Sequence, residues 1–152
     1  MRGHLCRLVR RIRRHWPATR LAIRGDGHYS RPEVMDWCDA HGIDYVFGLP
    51  GNAVLARAVE AAADDIRTSR AEANNPCLRG YSETRYRARS WKTERPACAR
   101  IEATRLGLDI RFVVTSLAAR SAEFIYDTLY CARGQAENLI KLHTAQLEHC
   151  LL

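Results

Sequence analysis

The stretch Leu21-Ala22-Ile23-Arg24-Gly25-Asp26-Gly27-His28-Tyr29-Ser30-Arg31-Pro32-Glu33, resumed by Asp44-Tyr45-Val46-Phe47-Gly48-Leu49-Pro50-Gly51-Asn52, decides the fold class. Leu21 to Asp26 reads as a short strand ending in a carboxylate. Gly25 and Gly27 flank that carboxylate and let backbone or ligand come close. Ser30-x-x-Glu33 has the form of a capping box with Pro32 in the first turn. A helix carrying Val34, Trp37 and Cys38 on one face is expected to follow and to stop at Gly42. Asp44 to Leu49 is a compact apolar strand, Pro50-Gly51 a turn, and Asn52 the cap of a helix bearing Val54, Leu55, Ala58, Val59 and Ala62. Upstream, Leu5, Leu8, Val9, Ile12 and Trp16 form the stripe of an amphipathic helix that Pro17 ends. Helix–strand–helix–strand–helix is the order of a parallel α/β unit.

The 152 residues are 47% apolar and 27% charged, the balance of a folded domain rather than a disordered tail. No run of 18 apolar residues occurs, which excludes an apolar membrane-spanning helix. The formal charge is +7, and its distribution is uneven: residues 1–25 hold eight Arg and no acid, while the rest of the chain is near neutral. Only Lys92 and Lys141 are lysines. Arg suits bidentate phosphate recognition, although a compositional bias gives the same excess. The basic helix therefore has three readings: a surface helix packed on a domain, a phosphate-facing helix, or a transit or membrane-surface segment. The six cysteines have no C-x-x-C spacing, and no secretory signal precedes them, so free thiols are expected.

Beyond Asp65 the pattern changes. Tyr81 to Arg89, Arg95 to Ala103 and Leu108 to Val114 alternate, with a hairpin-type turn at Arg105-Leu106-Gly107, and predict an antiparallel β section. From Ser121 the pattern is helical again, with Phe124, Ile125, Leu129, Leu139, Ile140 and Leu142 apolar. Gly134 is a candidate break. Tyr130, Arg133 and Glu137 share one helical face. That arrangement has two readings, metal or phosphate chemistry and a solvated Arg–Glu pair.

The segment Ile23 to Cys38, continuing through Gly42 to Asn52, resembles the second-aspartate region of DDE transposases from bacterial insertion sequences. Leu129-Tyr-Cys-Ala-Arg-Gly-Gln-Ala-Glu-Asn-Leu-Ile-Lys-Leu-His143 resembles their third-carboxylate helix, with its signature Tyr-x2-Arg-x3-Glu-x6-Lys. The resemblance implies an α/β fold: a partial RNase H-like core with an inserted antiparallel β region. Residues 1–65 would supply one part of the core, 66–120 the β-rich insertion, and 121–152 the glutamate-helix region. It implies that Asp26 and Glu137 are catalytic carboxylates holding Mg²⁺ or Mn²⁺ for two-metal cleavage and transfer of DNA strands. It also implies DNA contacts by Tyr130 and Arg133. Lys141 is a weak substitute for the signature Lys, whose own position is Thr144. Arg10, Arg13 and Arg14 of the basic helix are further candidates for DNA contact.

The family's first Asp has no match, because no strand precedes the basic helix. A truncated, inactive transposase fragment is therefore expected, marginally folded or oligomeric with itself or with full-length transposase. The alternative is a non-catalytic DNA-binding or regulatory fragment. A bacterial cytoplasmic location and no membrane partner are expected on either reading.

Overall fold

The computed structural model describes residues 2–132. Its elements are α1 (Arg2–His15), β1 (Ala22–Gly25), α2 (Pro32–Ala40), β2 (Asp44–Leu49), α3 (Ala53–Ala58), α4 (Glu60–Glu72), β3 (Cys77–Tyr86), β4 (Arg95–Thr104), β5 (Gly107–Thr115) and a π-helix (Phe124–Tyr130). The mixed α/β class expected from the sequence is what forms.

Asn52 caps α3 as its residue type predicts: its side chain accepts from the backbone N–H groups of Val54 and Leu55. The capping box expected at Ser30 does not form. Arg31 occupies the cap position with φ −95° and ψ 141°, and no side chain caps the helix. The reason is Pro32, which drives its predecessor into extended backbone and so moves the helix start one residue on. The Ser30 hydroxyl instead donates to the Gly27 carbonyl at 2.8 Å and closes the turn after Asp26. The helix expected after Asn52 breaks at Val59 (φ −114°), giving α3 and α4. Leu55, Val59 and Ala63 thereby all reach the sheet, while Val54 stays exposed.

One five-stranded sheet has the order β1-β2-β5-β4-β3. β1 and β2 are parallel; every other pair is antiparallel. The β section that begins after α4 thus continues the sheet of β1 and β2 through the β2–β5 ladder, where Phe47 faces Val114. Strand alternation assigns the two faces. Tyr45, Phe47 and Val114 pack against Val9 of α1 and against Val34, Met35 and Cys38 of α2. Further along that face, Ala97, Ala99, Ile101 and Phe112 pack against Leu55, Val59 and Ala63. On the other face, Val46, Cys98 and Val113 meet Ala122, Ile125 and Tyr126 of the π-helix segment. The fully buried Tyr45, Phe47, Met35 and Leu55 each contribute roughly 1.5–3 kcal/mol through apolar burial.

Arg95 stitches α2 to the sheet. Its side chain is 6% exposed and its guanidinium meets Asp36 at 2.6 Å, the Tyr45 hydroxyl at 2.5 Å, and Asp39. Burial pushes the Tyr45 hydroxyl up to about 12. At the opposite edge, β1 has no neighbour on its outer side among the described residues. The apolar stripe of α1 is broader than its contact: Val9 is buried, but Leu8 is 51% and Trp16 61% exposed.

Candidate functional site

Parallel strands gather their C-terminal ends at one edge, and ligands of open α/β sheets bind there. β1 ends at Gly25, so Asp26 stands at that edge. The following turn holds it: the His28 N–H donates to Asp26 Oδ1 at 3.0 Å, and the Tyr29 N–H donates to the Asp26 carbonyl at 3.1 Å. The His28 ring places Nδ1 3.3 Å from the same carboxylate oxygen, and the Asp26 side chain is about half exposed.

The π-helix delivers Tyr130 to this edge. The Cys131 N–H donates to the Tyr126 carbonyl, a wider turn than the α-helix the pattern predicts. The tyrosine rings at 126 and 130 stand 5.4 Å apart. Arg24 of β1 reaches 105 residues along the chain and donates to the Leu129 carbonyl at 2.7 Å, which fixes the end of the π-helix against the Asp26 strand.

Gly48 is the seat for Tyr130. A Cβ at Gly48 would lie 2.6 Å from the Tyr130 hydroxyl, 3.0 Å from the Gly27 nitrogen and 3.3 Å from the Asp26 carbonyl carbon. Asp26 and Tyr130 are therefore neighbours around a side chain that is not there. A cleft of about 330 Å³ beside Tyr130 is lined by Gly27, Gly48, Pro50, Arg111, Tyr126 and Tyr130, among others, so Asp26 adjoins it through its neighbour Gly27.

The structure thus brings together two of the residues singled out in the sequence, Asp26 and Tyr130. Arg133, Glu137 and Lys141 lie outside the described residues, as do Gly134 and the apolar positions 139, 140 and 142. Arg10, Arg13 and Arg14 do not line the cleft, because α1 packs on the face of the sheet opposite Tyr130. Arg10 and Arg14 are exposed, and Arg13 donates to the His41 carbonyl at 2.7 Å, at the end of α2.

Sequence reasoning missed Gly48, Arg24 and Arg111 as parts of this site. An isolated Gly inside the strand pattern of β2 was the available signal for a close approach. For Arg24 no local signal exists, since its partner lies in a distant segment; Arg111 has its partner Asp109 two residues earlier, but that spacing does not show that the strand borders the cleft.

A hard-oxygen carboxylate such as Asp26 suits Mg²⁺ or Mn²⁺ as one ligand. Among the described residues, no three His, Cys, Asp or Glu side chains gather to hold an ion. No helix among the described residues is long and apolar enough to cross a membrane.

The family described as transposase DDE domain group 1 matches residues 1–150. No curated protein and no solved structure matches the chain.

Proposed function

The chain belongs to the transposase DDE domain family, and on that premise we propose that it is a catalytic-domain portion of an insertion-sequence transposase acting on DNA phosphodiesters. The observation that carries the proposal is the meeting of Asp26 and Tyr130 over Gly48, at the C-terminal ends of the parallel strands. Asp26 and Glu137 serve as carboxylate ligands of the divalent cations that the family uses. The bound ions would supply Lewis acidity and an activated oxygen nucleophile. Tyr130 orients DNA at that edge, Arg133 and Lys141 contact DNA as the family pattern implies, and Arg10, Arg13 and Arg14 add attraction for the phosphate backbone. RNase H-like topology, with residues 66–120 as the inserted region, belongs to the same reading.

Matches within the 152 residues account for two of the family's three carboxylates. A cation site short of one ligand holds its ions poorly. We therefore expect the chain by itself to bind DNA without transferring strands, alone or in mixed oligomers with full-length transposase. The second reading is a non-catalytic DNA-binding regulator, for which the exposed Arg10 and Arg14 of α1 would supply phosphate attraction without the carboxylates.

Duplex DNA binding measured against salt, with and without Mg²⁺, tests the shared claim. Steep weakening with salt is expected. No binding at about 50 mM salt overturns both readings, since non-specific electrostatic binding is strong there. Cleavage separates them. Robust Mg²⁺-dependent cutting by the purified chain, abolished by Glu137→Gln, would refute the expected inactivity and the regulator reading together.

A further inference from the structure

We propose that Arg111 is the phosphate-binding residue of the cleft, gripping the backbone of a DNA strand presented to Asp26. This inference rests on the DNA-processing reading above and deepens it.

Arg111 lines the cleft with Gly27, Gly48 and Tyr130, yet it comes from β5, far from the motifs that carry the carboxylates. Directly opposite it on β4 stands Arg100. Like charges facing each other across an antiparallel ladder are destabilising, so a purely structural role would favour a neutral residue at one of the two positions. The pair is held by Asp109. Its Oδ2 accepts from Arg100 Nη2 and from Arg111 Nε, each at 2.9 Å.

The two arginines are not equivalent. Arg100 is 15% exposed and lies beneath the Tyr126 ring at 5.5 Å, as a packed structural cation. Arg111 is 65% exposed. Asp109 fixes the plane of its guanidinium through Nε, and among the described residues its terminal nitrogens have no partner. A planar fork held by one side and open at the other is the geometry that takes a phosphate bidentately. Gly27 and Gly51 also line the cleft, where a Cβ would meet nothing nearer than 3.6 Å, and the lack of side chains there leaves room for a sugar–phosphate backbone to approach.

The experiment compares the full chain with Arg111→Ala, Arg111→Lys and Arg57→Ala in fluorescence-anisotropy titrations of a duplex oligonucleotide over a salt series. Arg57 is exposed on α3, on the opposite face of the sheet, so its replacement removes the same charge away from the cleft. Loss of one phosphate contact should reduce the salt slope of Arg111→Ala by about 0.9 and weaken binding several-fold, while Arg57→Ala stays close to the parent. Arg111→Lys should restore the slope but not the full affinity, because a point charge replaces a fork. Should Arg111→Ala fold poorly, the lysine variant carries the test through its lowered affinity at unchanged slope. A chain that binds DNA while Arg111→Ala and Arg57→Ala behave alike overturns this inference only. A chain that binds no DNA overturns the functional reading and this inference with it.

Discussion

Replacing Gly48 by Ala tests the central geometry of the cleft. The added methyl would meet the Tyr130 hydroxyl at 2.6 Å, the Gly27 nitrogen at 3.0 Å and the Asp26 carbonyl carbon at 3.3 Å. Ordinary contact begins near 3.5 Å, so the hydroxyl must retreat by about 1 Å, while the two backbone contacts have less freedom to relax. Overpacking of this kind costs about 1–3 kcal/mol. Tyr130→Phe by itself should cost about 0.5–1.5 kcal/mol, the range for a lost hydroxyl interaction. Because phenylalanine removes the shortest of the three contacts, the two changes should not add. The double variant is expected to be more stable than the sum of the single costs predicts, by about 1 kcal/mol. Urea unfolding followed through the buried Trp91 measures all four corners of the cycle. Additivity within about 0.3 kcal/mol would show that Tyr130 does not sit over Gly48, and the pairing of Asp26 with Tyr130 would fall with it.

Other predictions concern the frame around the site. Arg95→Ala leaves Asp36 and Asp39 facing a buried void and should cost about 3 kcal/mol, the low end for a broken buried pair because both carboxylates keep access to water. Arg20→Ala, at an ion pair whose arginine is 86% exposed, should cost less than about 1 kcal/mol, and equal losses in denaturant titrations would refute the stitching role of Arg95. Burial pushes the thiol of Cys38 up from 9.0 to about 12, and the hydroxyls of Tyr45 and Tyr126 up from 10.0 to about 12. The unfolded chain ionises these groups first, so their contribution is whole below about pH 9 and is lost as pH rises towards 12. A denaturation midpoint that stays flat across that window would contradict it. Iodoacetamide at mildly alkaline pH should modify the exposed Cys77 and Cys131 and spare Cys38 and Cys98, as mass spectrometry of the native chain can read.

Local chemistry made much of the fold legible. Asn52 announces its helix because its carbonyl oxygen satisfies two orphan amides, and that reading needs only neighbours in sequence. Alternation in the three later strands is likewise visible along the chain; β4 and β5 end within a residue of the expected limits, whereas β3 runs Cys77–Tyr86 rather than Tyr81–Arg89. Ser30 was misread where two local rules competed, and the rigid ring of Pro32 outweighed the hydroxyl's preference for a cap. The π-turn that aims Tyr130 was not legible, since an added residue per turn leaves the apolar pattern almost unchanged and is selected by packing on Val46, Cys98 and Val113.

By itself the sequence determined the order of elements, the strand-end position of Asp26 and the resemblance that puts Asp26 and Tyr130 in one family pattern. Each of these rests on residue type and spacing, which act over one or two turns of backbone. Only the tertiary structure decided that β5 would pair with β2, that Gly48 would leave the room Tyr130 fills, and that Arg111 would enter the cleft with Asp109 holding it. These depend on ladder register and on contacts between distant segments, such as the Arg24 bond to Leu129. Such contacts arise when opposite faces of one sheet are buried together, and no single stretch of chain encodes them.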